Sequence, residues 1–287
     1  MIFYFSGTGN TRQCAATLAA LTGDVAVAMS RDMLLAPDSA AVSACGHTDR
    51  VVWMFPVYAW GIPPMVRRVM ERVVIDGLDE GAVHWMVCTC GDDVGLTAGE
   101  WRSVMHRRGW LTRSAFSVEM PNTYVFMKGF DVDSPGLTEH KLAAMPKRLA
   151  RIAAAIAGDT PTASTATQSA SGTAAQAAGI ADDVVKGRFA WLKSRVVRPW
   201  FHRHAMSPKP FHATDACTGC GTCARACPLG NITVDATTDN TPDTTGGNTV
   251  RRPRWGSQCT LCTACYHACP HHAVAYGRST AAKGQKK

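Results

Sequence analysis

The sequence predicts an α/β domain built on a doubly wound parallel sheet of order 2-1-3-4-5, followed by a smaller second domain. Two observations predict the first part. Short apolar runs alternate with helical stretches through residue 157, the pattern of βα units whose crossovers keep strands parallel. A Gly-rich turn joins the first apolar run to the first helical stretch, and in open sheets of this kind ligands collect beyond the carboxyl ends of the strands. The second part is predicted by cysteine, since eight of the 12 lie in two runs between residues 217 and 269. A chain of 287 residues also exceeds the usual size of one compact core.

In chain order, Met1 to Phe5 is the first expected strand. It ends at Ser6-Gly7-Thr8-Gly9-Asn10-Thr11, and Gln13 to Leu21 then reads as a helix stopped by Gly23. Glycines let the backbone come close to a ligand, the helix start offers free N–H groups to an anion, and Ser6, Thr8 and Thr11 add hydroxyls. That describes a phosphate cradle; an ordinary turn of small polar residues is the alternative. The loop lacks the Lys of a Walker A motif, and Arg12 stands where a dinucleotide fingerprint has its third Gly, so a terminal phosphate monoester suits it better than ATP or NAD. Further strands are expected at Val25 to Met29, Arg50 to Phe55, Val83 to Cys88 and Ser114 to Met120. Helices are expected at Pro64 to Val74, Thr97 to Arg108, and from Thr138, an N-cap, to Ala157.

The loop Ser6 through Thr11 resembles the phosphate loop of the flavodoxin family, S/T-x-T-G-x-T. The resemblance implies bound FMN. After the third strand come Pro56, Tyr58, Trp60 and Gly61, where an aromatic could stack on the isoalloxazine and Gly61 could admit the ring to the backbone. An aromatic followed by Gly resembles the flavin-stacking loop, which favours Trp60 over Tyr58; packing of either on the sheet edge is the alternative. After the fourth strand, Cys90-Gly91-Asp92-Asp93 resembles the family loop that opens with Gly-Asp, but without the aromatic a few residues on. That departure implies a barer flavin face. Asp92 and Asp93 near the ring would lower its potential; exposed, they are a solvated loop. Cys88 and Cys90 share one face of a strand and read as small buried hydrophobes. After the fifth strand, Met120 to Tyr124 reads as a further loop of the same rim, with Asn122 bonding the ring or capping a turn.

The cysteine runs are Cys217, Cys220, Cys223, Cys227-Pro228 and Cys259, Cys262, Cys265, Cys269-Pro270, each C-x2-C-x2-C-x3-C-P. Three thiolates at steps of three wrap one cubane and the fourth reaches across to another. Two 4Fe-4S clusters are expected, with crossed ligands: Cys217, Cys220, Cys223 and Cys269 on one, Cys259, Cys262, Cys265 and Cys227 on the other. Zinc sites gather two C-x2-C pairs and leave no place for a third cysteine. A disulfide framework suits small secreted domains, whereas this sequence opens without a charged-then-apolar leader, so a reducing cytoplasm is expected. The stretch Phe211 to Tyr276 resembles a bacterial-type two-cluster ferredoxin, which implies a smaller α+β ferredoxin-like domain.

Composition divides the chain into 1–157, a linker 158–183 of small polar residues, a basic aromatic segment 184–210, the cluster domain 211–277, and a disordered basic tail 278–287. Thr233 to Thr249 is expected as a surface loop. The net charge of +8 concentrates in the basic segment. Three readings compete there: a helix packed on the ferredoxin module, taken as the default; a docking surface for an acidic redox partner; or a patch for anionic lipid or nucleic acid. Nucleic acid is not expected, since no binding fold accompanies the patch. No run of about eighteen apolar residues is present, so no membrane span is expected; peripheral membrane contact stays open as one reading of the basic segment. His271 and His272 read as exposed turn residues. As a whole the chain resembles flavodoxin-ferredoxin fusion proteins. This implies an electron carrier linking FMN, two clusters and redox protein partners; an FMN-dependent reductase fed by the clusters and a redox-sensing binding protein are the alternatives. Oligomeric state is not legible.

Overall fold

The computed structural model describes residues 1–158, 181–235 and 251–286. They form two units, Met1–Pro121 with Pro135–Pro199, and Asn122–Ser134 with Trp200–Lys287. The expected linker from residue 159 to 180 and most of the expected loop between the cysteine runs lie outside the described residues.

In the first unit β1 (Ile2–Tyr4), β2 (Ala26–Ala28), β3 (Ala41–Pro56), β4 (Val74–Cys90) and β5 (Leu111–Glu119) form one parallel sheet of order β2-β1-β3-β4-β5. Side chains alternate across it. Ile2, Val52, Met54 and Val87 pack under α1 (Asn10–Thr22) and α5 (Pro135–Gly158), which contribute Leu18, Leu149, Ile152 and Ile156. Phe3 points to the other face, edge-on to Trp53 at 5.4 Å. There α3 (Pro64–Arg72) buries Met65, Val66, Val69 and Met70, and α4 (Thr97–Arg107) buries Trp101, Val104 and Met105, the i, i+3, i+4 stripes of core-facing helices. A short α2 (Arg31–Leu35) follows β2, its start capped by Ser30, whose Oγ accepts the Met33 N–H at 3.3 Å.

The two inner strands run longer than their apolar cores. β3 and β4 already pair at Ala41↔Val74, with register irregularities between Ser43 and Arg50. Residues 41–49 and 74–82 hold several Asp, Gly and Thr, and pairing with each other makes them strand. Asp183 continues the sheet beyond β5: its N–H donates to the Ala115 carbonyl at 2.9 Å and its carbonyl accepts from Ser117 at 3.1 Å. A strand edge that would otherwise present bare N–H groups is thereby covered. Beyond it the chain forms α6 (Ala190–Leu192), a π-helical turn Lys193–Val197, α7 (Arg198–Trp200) and a second π turn Phe201–Ala205.

The second unit pairs β6 (Phe211–Ala213) with β9 (Val274–Tyr276) and β7 (Ile232–Asp235) with β8 (Arg252–Trp255), both antiparallel, around the short helices α8 (Thr222–Ala226) and α9 (Ala264–Ala268). Phe126 stands at its centre, 5.0 Å from Phe211 and 4.7 Å from Tyr276.

Three expectations are corrected here. The stretch after β5, read as part of the first domain's rim, belongs to the second unit, because Val125 and Phe126 are core side chains there. Asn122 serves turns within that stretch, its N–H donating to Asp133 at 3.0 Å. Of the basic segment 184–210, read by default as packing on the ferredoxin module, residues 184–199 belong to the first unit and residues 200–210 to the second, where Phe201 and Met206 pack on its core. The tail is structured rather than disordered: the Lys283 carbonyl accepts from Tyr266 Oη at 2.9 Å, Lys283 Nζ donates to the Met127 carbonyl at 2.7 Å, and Lys286 N–H donates to His267 Nδ1 at 3.0 Å. No described helix is long and apolar enough to cross a membrane.

Candidate cofactor sites

The second unit contains two hollows, and each is lined by four cysteines drawn from both runs. Cys227, Cys259, Cys262 and Cys265 surround one, with Phe211, Leu229, Ile232 and Trp255. Cys217, Cys220, Cys223 and Cys269 surround the other. Three cysteines of one run thus meet the fourth of the other. The chain achieves this by duplicating its backbone. In each run the third cysteine lies in the first turn of a short helix, Cys223 in α8 and Cys265 in α9, and the fourth closes that helix.

The left-handed residues repeat as well. Gly219, Gly221 and Gly230 have φ of 69°, 73° and 61°, and the corresponding Leu261, Thr263 and His272 have 52°, 63° and 54°. A leucine or threonine in that region costs on the order of 1 kcal/mol or more, so the path is set by what the loop must wrap rather than by residue preference. Sulfurs meet backbone donors: Asn231 N–H to Cys227 at 3.3 Å, Leu261 N–H to Cys259 at 3.4 Å, and Ala273 N–H to Cys269 at 3.3 Å. Backbone donors to cysteine sulfur are the hydrogen bonds by which a protein tunes a bound cluster.

The two hollows differ. Cys220 is exposed, and the Thr222 hydroxyl beside it lowers its thiol pKa. Around the other hollow, burial raises the thiols of Cys259 and Cys265 and pushes that of Cys262 up to about 12. The indole N–H of Trp255 is buried there beside Cys265, whose thiolate form it favours. Among the described residues no three His, Cys, Asp or Glu side chains converge as one metal ion requires. Four sulfurs around a hollow suit a cubane better than a zinc ion, which draws thiolates to about 2.3 Å. His271 and His272 are exposed, as expected.

The first unit gathers its predicted residues at the carboxyl ends of β1, β3 and β4. Ser6, Gly7, Thr8 and Gly9 are partly exposed. Gly9, with φ 96°, turns the chain into α1, whose start carries no side-chain cap and no acidic residue in its first turn. The leading N–H groups of this 13-residue helix therefore suit an anion. Ser6 Oγ accepts the Gly9 N–H at 3.1 Å, Asn10 Nδ2 donates to the Pro121 carbonyl at 2.8 Å, and buried Thr11 shares a hydrogen bond with Thr89 at 2.8 Å. Asn10 and Thr11 thus brace the loop, and the cradle fits a phosphate.

In the second loop Pro56, Tyr58 and Trp60 are partly exposed, and Ala59 and Trp60 take positive φ of 47° and 58° in a turn closed by Tyr58 and Gly61. Gly61 answers a different need from the one expected: a Cβ there would sit 2.0 Å from Arg198 Cζ, so its bare face admits that guanidinium. In the third loop Cys90 turns inward with its thiol pushed up to about 12 by burial, and Cys88 is likewise buried. Gly91 gives its carbonyl to Lys141 Nζ at 2.6 Å, and Asp92 is exposed. Asp93 is paired with Lys193 at 2.5 Å, which neutralises the charge expected to bear on the ring.

A strap crosses this rim, and nothing local in residues 184–199 marked it as one. Ser194 Oγ accepts the Leu96 N–H at 2.9 Å and donates to the Trp60 carbonyl at 3.0 Å, joining the second and third loops through one hydroxyl. Lys193 Nζ lies 5.4 Å from the Trp60 ring centre. Arg198 pairs with Glu100 at 2.6 Å and donates to the Ile62 carbonyl at 2.7 Å. These partners stand roughly a hundred residues away in sequence, and only the basic character of 184–199 was legible.

Residues 216–273 match the family described as 4Fe-4S dicluster domain. No curated protein matches the chain. Among solved structures it is similar to a Fusobacterium nucleatum flavodoxin bound to flavin mononucleotide, at 13% identity and TM-score 0.34 over 56% of this chain and 97% of that one. A flavodoxin, WrbA-like protein from Agrobacterium tumefaciens gives 15% and 0.30 over 55% and 97%. An oxidoreductase from Corynebacterium diphtheriae gives 16% and 0.32 over 53% and 91%. These likenesses are distant, and the strand order carries the fold assignment. The chain joins a flavodoxin-like α/β domain, with its order β2-β1-β3-β4-β5, to a C-terminal 4Fe-4S dicluster domain.

Proposed function

We propose that the protein is an electron carrier in which FMN on the first unit and two 4Fe-4S clusters on the second exchange electrons with redox protein partners. The observation that carries this reading is the pair of four-cysteine hollows, each drawing three cysteines from one run and one from the other. Cys217, Cys220, Cys223 and Cys269 hold one cluster, and Cys259, Cys262, Cys265 and Cys227 the other. Each cluster passes one electron. When bound, FMN supplies the ability to take either one or two electrons.

The chain's own part at the flavin is positioning. Ser6 through Thr11 hold the phosphate, with the α1 N–H groups opposing its charge. Tyr58 and Trp60 flank the ring, Lys141 fixes the Gly91 carbonyl, and Ser194 keeps the two ring loops at a set separation. No nucleophile or general acid is needed, which accords with the burial of Cys88 and Cys90. Covalent fusion raises the effective concentration of one centre for the other.

The test is composition after anaerobic purification and reconstitution: about eight iron atoms and about one FMN per chain. Iron without flavin would overturn the flavin half of the proposal, and about four iron atoms or fewer would overturn the cluster half.

A further inference from the structure

The helical segment that begins at Phe189 is built inside out. Lys193, Ser194, Val197 and Arg198 are partly buried against the first unit, held by Asp93, Leu96, Trp60, Glu100 and Ile62. The opposite side shows Phe189, Trp191, Leu192 and Val196 to solvent, at 69%, 65%, 46% and 48% exposure. Lys186, Arg188 and Arg195 stand exposed among them. No acidic residue occurs from residue 184 to 214. A surface helix ordinarily buries its apolar stripe and shows its charges. Here ion pairs hold the segment down, and the apolar stripe is the part on offer.

We infer that this face docks on an anionic lipid surface, lying flat among the headgroups. The composition is that of an interfacial helix: large apolar and aromatic side chains on one side, several cations beside them and no acid within the segment itself. Tryptophan suits the depth at which hydrocarbon gives way to water, and Lys and Arg are drawn by the negative leaflet. A transient redox protein would be met differently. Such encounters bury little area and are steered by charge, so four exposed large apolar side chains in a row exceed what they require. The ionic inner face also explains how the stripe stays outward. Lys193 and Arg198 are already engaged by Asp93 and Glu100, and turning the segment over would bury those charges without partners.

The test uses the full chain and flotation with vesicles of phosphatidylcholine alone or mixed with phosphatidylserine. Capture is expected on the mixed vesicles only, weakening as salt is raised. Arg188→Ser and Arg195→Ser should each weaken capture about fivefold. Trp191→Ser combined with Leu192→Ser should weaken it tenfold or more. All four side chains are exposed, and an unchanged urea-unfolding transition of the first unit, to which they belong, checks that the variants remain folded. Failure of the mixed vesicles to capture the protein would overturn the inference, as would equal capture of the Trp191→Ser, Leu192→Ser variant. If that variant kept its lipid binding but exchanged electrons more slowly with an acidic redox protein, the face would be a protein dock instead.

Discussion

Replacing Trp255 with phenylalanine removes one hydrogen-bond donor from the hollow of Cys227, Cys259, Cys262 and Cys265 and changes little else. The ring stacks on Phe211 at 5.1 Å with 9° between planes, and phenylalanine can keep that stack. The indole N–H is buried and favours the thiolate form of Cys265 by hydrogen bonding toward its sulfur. A reduced cluster carries one more negative charge than an oxidised one, so a donor aimed at its sulfur stabilises the reduced form more. One such bond contributes about 1 kcal/mol, which is roughly 40 mV for a one-electron couple. Trp255→Phe should therefore lower the potential of this cluster by about 40 mV. The cluster of Cys217, Cys220, Cys223 and Cys269 has no such indole and should stay where it was. Redox titration followed by electron paramagnetic resonance of each reduced cluster reads both values. An unchanged potential, or the same shift in both clusters, would refute the role given to the indole.

The strap, the sheet core and the cluster loops each yield a further prediction. Gly61→Ala places a Cβ 2.0 Å from Arg198 Cζ, so the guanidinium must leave Glu100; trypsin should then cut faster after Arg188, Lys193 or Arg195, and an unchanged digestion pattern counts against a tied strap. Burial, with help from Arg108, holds the His84 pKa down to about 3, while Trp53 Nε1 donates to its Nδ1 at 2.9 Å. In the unfolded chain the same group titrates near 6.5, so it contributes stability that is full above that pH and falls as acid is added, by about 2 kcal/mol at pH 5. Urea unfolding of the first unit at pH 7 and pH 5 measures this; the difference should shrink in His84→Asn, and a difference that persists there belongs to other groups. Gly219 has φ 69° and only 2.7 Å from a built Cβ to the Arg251 carbonyl oxygen, so Gly219→Ala should deplete iron from the cluster of Cys217, Cys220, Cys223 and Cys269. Unchanged iron in that variant contradicts the crowding of the loop.

What the sequence revealed was whatever repeats locally. The parallel sheet was legible because Ile2, Val52 and Val87 sit in compact apolar runs, and the cysteines because their spacing is itself the geometry of ligation. The Gly-rich loop of Ser6 to Thr11 was legible as a strand–turn–helix junction. What stayed hidden depends on contacts between distant residues. Nothing in Asn122 to Ser134 marks Val125 and Phe126 as core of a unit whose other residues begin at Trp200. Ser194, Arg198 and Glu100 are ordinary surface types until the fold brings them together, and Gly61 looked like an opening for a ring when its neighbour is a guanidinium. Residues 41–49 and 74–82 are strand only because they pair with each other. The tail was misread because its few bonds go to Met127, Tyr266 and His267, none of them near in sequence.

The central claim is that each cluster is held by three cysteines of one run and one of the other. Cys227→Ala tests it most directly, with the two clusters followed separately by resonance spectroscopy on the anaerobically reconstituted chain. Damage is expected to the cluster of Cys259, Cys262 and Cys265, although Cys227 belongs to the other run, with a normal signal from the cluster of Cys217, Cys220, Cys223 and Cys269. Loss confined to the latter cluster would contradict it.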